Sequence, residues 1–218
     1  MARPRPTPPA SGLSRRVLLA AVAPTAFLAA CGGEDADEKE EEREAADLEI
    51  VRFLLGMEDV ESRFWVQAQE SGSLGSVGVP DDVVETVARN EREHVRVLER
   101  WAQRLGKTRP SPPSTAFEEI FAAGPHEVIS AGASLENLSA AAYLGQINRV
   151  QDRNLLASLL AIHTVEGRQA AAMNRLAGRG FSLGTGQLEG ALPDGAFAEP
   201  LEMATVRTRL KRYTGGRA

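Results

Sequence analysis

The chain has one cysteine, Cys31, and none among the residues that follow it. Its body can therefore form no internal disulfide, and thiol catalysis and redox dithiols are excluded. Aromatic residues are few, at 5%. Alanine and leucine supply most of the apolar surface, a mix that favours closely packed helices over a β-sandwich. A basic footprint is also lacking: the formal net charge is -5, which excludes a nucleic-acid partner. The chain has no serine in a nucleophile-elbow context, and Gly184-Thr185-Gly186 follows no clear strand, so it makes a poor phosphate cradle. The apolar run from Val17 to Ala30 is shorter than the roughly 20 residues a membrane-spanning helix needs.

That run belongs to a leader, residues 1–30, in which Arg3, Arg5, Arg15 and Arg16 are unopposed by any acid. Ser14-Arg15-Arg16-Val17-Leu18-Leu19 resembles the twin-arginine export signal, and Leu28-Ala29-Ala30-Cys31 resembles the bacterial lipobox. The resemblance implies cleavage before Cys31, acylation of that cysteine, and tethering by lipid to the outer face of the cytoplasmic membrane. The twin-arginine route implies export in the folded state. Residues 31–44 then form an acidic linker: Glu34–Glu44 holds eight acids against Lys39 and Arg43. Self-repulsion is expected to extend it, with its Glu-rich end also able to join the first helix. The folded domain is expected over residues 45–218.

Four long segments of that domain carry helical periodicity, at about 44–70, 81–105, 125–147 and 151–177. Gly72, Gly75 and Gly78 break the first. Pro80 precedes the second, Asp81 or Asp82 can cap it, and Gly106 ends it. Pro125 suits a first turn of the third. The third and fourth helices are separated by a few residues and so are antiparallel neighbours. The second and third are separated by residues 107–124, with three prolines and a short helical piece at 116–122. The expected fold is an all-α four-helix bundle with a long crossover between helices two and three, the ferritin-like connection. A short C-terminal helix at about 201–213 closes it.

Polar residues interrupt the apolar stripe of every long helix. The second reads Val84, Val87, Glu91, His94, Leu98, Trp101; the fourth reads Leu155, Leu159, Ile162, Glu166, Gln169, Met173. The first carries Glu58 at its centre with Glu61 beside it, and leads on to Trp65. The third places Glu136 on or at the edge of a stripe that includes Ser139 and Tyr143. Any one such glutamate is more often a stripe-edge residue reaching water. Four helices agreeing on depth is a different matter, because clustered buried carboxylates repel one another and need protons, cations, water or a metal.

The order is Glu, Glu-x-x-His, Glu, Glu-x-x-Gln, one residue short of the two Glu-x-x-His motifs and two lone glutamates of di-metal carboxylate bundles. Leu55–Trp65, Asn90-Glu91-Arg92-Glu93-His94, Leu135-Glu136-Asn137 with Ala142-Tyr143-Leu144-Gly145, and Val165-Glu166-Gly167-Arg168-Gln169 resemble the four helices of the bacterial and plant ferritin-like proteins related to desiccation-associated proteins. Pro193-Asp194 through Leu201 resembles their tail, and the likeness covers roughly residues 45–215. It implies that Glu58 and His94 ligate one metal, that Glu136 ligates a second, and that Glu91 and Glu166 bridge. Gln169 stands where the second metal's histidine is expected, which puts that position in doubt, since an amide oxygen is a weak ligand beside imidazole. His163, one turn before Glu166 on a neighbouring face, is the alternative ligand. His126, near a helix start, reads as a surface residue.

This ligand inventory suits iron or manganese better than a structural zinc site. The resemblance implies oxygen, peroxide or stress-related chemistry at a dinuclear centre, in a protein held in the cell envelope by its lipid. Two other readings stay open: an envelope adaptor bundle with a degenerate or vacant metal site, and a solute-binding lipoprotein, against which the absence of alternating strands and helices counts. The sequence leaves open the substrate, the protein partner and whether the chain forms a homo-oligomer.

Overall fold

The computed structural model describes residues 34–106, 108–179 and 199–216. The leader, Cys31 and the tail motif from Pro193 to Phe197 lie outside them. Helices run Glu34–Ser71 (α1), Asp81–Arg104 (α2), Glu118–Ala122 (α3), Pro125–Gln146 (α4), Arg153–Leu176 (α5) and Met203–Thr214 (α6). Short 3-10 turns at Ser73–Val77 and Ile147–Arg149 occupy the connections either side of the crossover. Among the described residues there is no strand, and no helix is long and apolar enough to cross a membrane.

The helix ends follow the glycine and proline punctuation. Gly72, Gly78 and Gly106 adopt positive φ of 58°, 82° and 72°, a region open to glycine at little cost, so each stops or turns the chain. Pro80, rather than Asp81 or Asp82, occupies the N-cap of α2. The two aspartates fall in the first turn, where their charge complements the helix dipole. Asp152 caps α5 by accepting from the backbone N–H of Asn154 and Leu155 at 2.6 and 2.9 Å. The largest departure from expectation is the start of α1. It begins at Glu34, ten residues early, and absorbs the acidic segment expected to be extended. Glutamate, lysine, arginine and alanine are strong helix formers, and acids near a helix N-terminus are favoured by its dipole. Residues 37–46 of this stretch are exposed; burial begins at Asp47 and Leu48.

Side-chain contacts fix the helix directions. Trp65 meets Gly132 and Glu136, whereas Tyr143 meets Glu58, so α4 runs opposite to α1. Asp47, near the start of the buried part of α1, accepts from the backbone N–H groups of Gln151 and Asp152 at the start of α5, each at 2.8 Å. Trp101 near the end of α2 donates to Ser158 near the start of α5 at 3.1 Å. Helices α1 and α5 therefore run one way, and α2 and α4 the other. Parallel α2 and α4 require a connection that travels the length of the bundle, and residues 105–124 supply it. Its path is pinned along α1: Arg63 donates to the Pro113 carbonyl at 2.9 Å, and Arg109 pairs with Asp59 and, at 2.7 Å, with Glu99.

Helix α4 is buried on nearly every side, and its small residues allow this. A Cβ on Gly145 would overlap the Leu201 backbone, whose N–H donates to the Ala141 carbonyl at 3.1 Å, so the segment leading into α6 lies directly on α4. Asn137 and Asn174 exchange reciprocal amide hydrogen bonds of 3.0 Å between α4 and α5. Phe64, Phe117, Phe121 and Tyr213 pack edge-on or tilted at one end of the bundle.

Candidate metal centre

The four long helices bring five glutamates to one depth. Glu58, Glu61, Glu91, Glu136 and Glu166 each have 0% exposure, with His94 and Gln169 at 6% and 7% beside them. Spacing does this on each helix: residues three apart share a face, so Glu58 and Glu61, Glu91 and His94, and Glu166 and Gln169 project together. Among the described residues none of the five glutamates is paired with lysine or arginine; their one cationic neighbour is His94.

One face of the cluster is built around His94 Nδ1. It lies 2.8 Å from Glu166 Oε1, 3.2 Å from Glu91 Oε2 and 3.4 Å from Glu58 Oε2. The contact to Glu91 alone is aligned as a hydrogen bond. The 2.8 Å approach to Glu166 is an ion-pair distance without that alignment, and Glu166 Oε1 is left without a hydrogen-bond partner. One nitrogen facing three carboxylates cannot satisfy them all with a single N–H. The ligating atoms of Glu58, Glu91, His94 and Glu166 lie within 4.8 Å of one another, and so do those of Glu61, Glu136 and Glu166. Glu166 is common to both sets; Glu91 falls in the first.

The carboxylates are held from behind by groups that the helical stripes placed nearby without assigning a role. Tyr143 Oη donates to Glu58 Oε1, and Trp65 Nε1 donates to Glu136 Oε1 at 2.5 Å. Buried tyrosine and tryptophan ordinarily find a partner for the polar end of the ring, and their presence on site-facing stripes was the available signal. Gln169 Nε2 donates to Glu91 Oε1 and, at 3.1 Å, to Glu136 Oε2, while Gln169 Oε1 accepts from Asn90 Nδ2 at 2.7 Å. Asn90 and Gln169 also line a groove of about 400 Å³ between α2 and α5, walled by Val83, Val87 and Met173. His163 joins neither set. It is half-buried beside the Ala140 backbone, and burial lowers its pKa. His126 is exposed.

Without a cation the cluster must hold protons. Burial, followed by the charge of Glu166, pushes Glu58 and Glu61 well above the usual carboxylate range. Burial and Glu91 do the same for Glu136, against the hydrogen bonds from Gln169 and Trp65. Glu166 is pushed up to about 7, by burial and then by Glu91. Burial alone would lower His94, but the glutamates around it outweigh burial and keep it protonated.

The family model described as ferritin-like domain matches residues 46–179. The chain belongs to the ferritin-like domain family. No curated protein matches it. The match spans α1 from just before its first buried residues to the end of α5, so every residue of the cluster lies inside the ferritin-like domain. The donor set fits a metal on the structure's own terms. Glu58 Oε2, both oxygens of Glu61 and both oxygens of Glu166 have no hydrogen-bond partner among the described residues. Buried charged oxygens in that state are costly unless a proton or cation compensates them. Oxygen donors with one imidazole are a set able to hold a metal cation.

The ferritin-like domain also makes room for its second row of residues. A Cβ on Gly132 would lie 2.7 and 2.8 Å from Trp65 Cη2 and Cζ2. Gly132→Ala is therefore expected to cost about 1–3 kcal/mol by overpacking. Gly56→Ala and Gly167→Ala, where a Cβ meets nothing within 4 Å, should instead stabilise by roughly 0.5–1 kcal/mol. Urea unfolding of the three variants checks both signs; equal effects at all three would refute the packing argument.

Proposed function

We propose that this chain is an exported, membrane-tethered ferritin-like protein that binds iron or manganese in the bundle core and uses the centre for oxygen, peroxide or stress-related chemistry. The observation that carries the reading is His94 Nδ1 set among Glu58, Glu91 and Glu166, with carboxylate oxygens of Glu58 and Glu166 left without partners. When bound, iron or manganese supplies electrons for reduction of dioxygen or a peroxide. The chain's own residues hold the site for that task. Tyr143 and Trp65 fix Glu58 and Glu136 by hydrogen bonds to one oxygen of each. The glutamates are fully buried, which keeps bulk water out, and the groove lined by Asn90 and Gln169 is a surface depression that shares a residue with the cluster's surroundings.

The export half of the reading rests on the paired Arg15-Arg16, the short apolar run and the small residues before Cys31. Replacing Cys31 by alanine should move the protein from the membrane fraction to a soluble one; an unchanged distribution would remove the lipid anchor. For the centre, the test is metal content of the protein purified from cells supplied with iron and manganese, beside Glu91→Ala. About two ions per chain in the parent, as in di-metal carboxylate bundles, and loss of the ion at the His94 position in the variant support the reading. Hydrogen peroxide consumption by the loaded protein then tests the chemistry.

One observation favours a second reading, an adaptor bundle without catalysis. Gln169 stands in the place expected for histidine and turns its NH₂ toward Glu91 and Glu136. A parent protein that takes up no metal would sink the catalytic reading and leave a structural or adaptor bundle.

A further inference from the structure

The geometry assigns Glu61, and not Gln169, as the ligand that completes a second cation position with Glu136 and Glu166, an all-oxygen position suited to a hard divalent cation such as Mn²⁺. This rests on reading the bundle core as a metal centre, and it says how this chain manages without the second histidine.

Glu61 is fully buried, yet neither of its oxygens has a hydrogen-bond partner among the described residues. Glu91, Glu136 and Glu58 are each steadied by Gln169, Trp65 or Tyr143. Glu61 receives no such support, although one of its oxygens lies within 4.8 Å of ligating atoms of both Glu136 and Glu166. A buried carboxylate with no structural partner, aimed at two other carboxylates, makes physical sense as one side of a cation cage.

Gln169 is arranged for a different task. Its carbonyl oxygen, the one atom of the side chain able to ligate a metal, accepts from Asn90 at 2.7 Å. That bond leaves the NH₂ group facing Glu91 and Glu136, and an amide nitrogen bearing two protons donates but does not coordinate. Gln169 is thus a positioning residue, holding a carboxylate from each cation position.

The helix α1 divides its two glutamates between the positions. Glu58 joins the set containing His94, and Glu61, one turn on, joins the set that has no nitrogen donor. The first position offers three carboxylates and an imidazole; the second offers carboxylates alone. Oxygen-only donor sets suit Mg²⁺, Ca²⁺ and Mn²⁺, whereas imidazole extends the range to Zn²⁺ and iron. The two positions should therefore fill with different metals when both are supplied.

The test uses the full chain stripped of metal. Mn²⁺ binding is counted from the electron paramagnetic resonance of the free ion, for the parent, E61Q and Q169L. The assignment expects about two Mn²⁺ in the parent, one in E61Q and two in Q169L, the last weakened by no more than the roughly 10–100-fold typical of a lost supporting residue. A second arm adds one equivalent of Zn²⁺ before excess Mn²⁺. Zinc should take the His94 position and leave a single, magnetically isolated Mn²⁺ in the parent and none in E61Q. Metal-free E61Q should unfold at or above the parent temperature, which separates lost binding from lost folding. Two Mn²⁺ in E61Q at parental affinity, or one in Q169L, would overturn the assignment while leaving the metal centre intact. A parent that binds no Mn²⁺ would overturn the metal centre itself, and the assignment with it.

Discussion

Saturating the metal-free protein with Mn²⁺ or Fe²⁺ is expected to raise its unfolding temperature by roughly 8–16 °C for each position filled, and Glu91→Ala is expected to remove the part of that rise that belongs to the His94 position. A ligand that binds only the folded state at about a thousand times its Kd stabilises by about 4 kcal/mol. Each kcal/mol is worth about 2–4 °C in a domain of this size. The rise is large because the metal-free core is poorly satisfied: oxygens of Glu58, Glu61 and Glu166 lack partners, and one imidazole faces three carboxylates. Glu91→Ala separates binding from folding through opposite signs. It removes a ligand of the His94 position, and it also removes one acid from a mutually repelling group. The variant should therefore lose the His94 position's share of the metal-induced rise while its metal-free unfolding temperature stays level or increases. Scanning calorimetry with and without metal reads both. A variant that falls by several degrees without metal would mean that Glu91 is a structural residue, and the centre would lose its main support.

The second large effect is a reversal of pH dependence. Glu58, Glu61, Glu136 and Glu166 all have folded-state pKa values raised above the unfolded value, chiefly by burial. His94 is raised as well, by the glutamates around it. For both kinds of group the folded state holds protons that the unfolded chain has released. Their contribution is complete below the unfolded pKa and is lost as pH rises through the folded one. For Glu166, raised from 4.5 to about 7, the loss across that interval is on the order of 3 kcal/mol. Metal-free stability should accordingly fall as pH is raised from 5 to 8. Metal binding requires deprotonated carboxylates and neutral imidazole, so affinity rises over the same interval and protons are released on binding. The loaded protein should therefore gain stability with pH where the metal-free protein loses it. Urea unfolding at several pH values, with and without Mn²⁺, tests the divergence. Parallel curves would show that protons and metal do not compete for these side chains.

Much of this arrangement was legible in the sequence. Periodicity and the glycine and proline stops located α2, α4 and α5 to within about two residues, since the physics of helix ends is local. The depth of Glu58, Glu91, His94, Glu136 and Glu166 was legible for a related reason, because each interrupts an otherwise apolar stripe. Glu61 escaped because a stripe assumes one buried face. In its middle α1 is buried all round, with the crossover laid against its outer side through the contacts of Pro113 with Arg63 and of Arg109 with Asp59, and a glutamate off the stripe is then no closer to water than one on it. The start of α1 was placed late because like charge was weighted over helix propensity. Trp65 and Tyr143 were visible as core aromatics, but their donor roles depend on which carboxylate stands opposite, and only the packing of α1 against α4 decides that.

The Asn137–Asn174 amide pair has a consequence for how the centre keeps its alignment. Helix α4 presents Ala131, Gly132, Ala133, Ala140, Ala141 and Ala142 to its neighbours, between larger buried side chains such as Leu135, Leu138 and Tyr143. A slip of one helical turn against α5 moves a side chain by about 5.4 Å, enough to carry Glu136 out of reach of Glu166 while leaving apolar surface covered. Two amides that satisfy each other at a single axial setting oppose that slip, because any other setting breaks both bonds and leaves Asn137 only its bond to the Ala133 carbonyl. The pair supplies none of the candidate ligands, yet it helps to set the register in which glutamates from two helices come to face a common point.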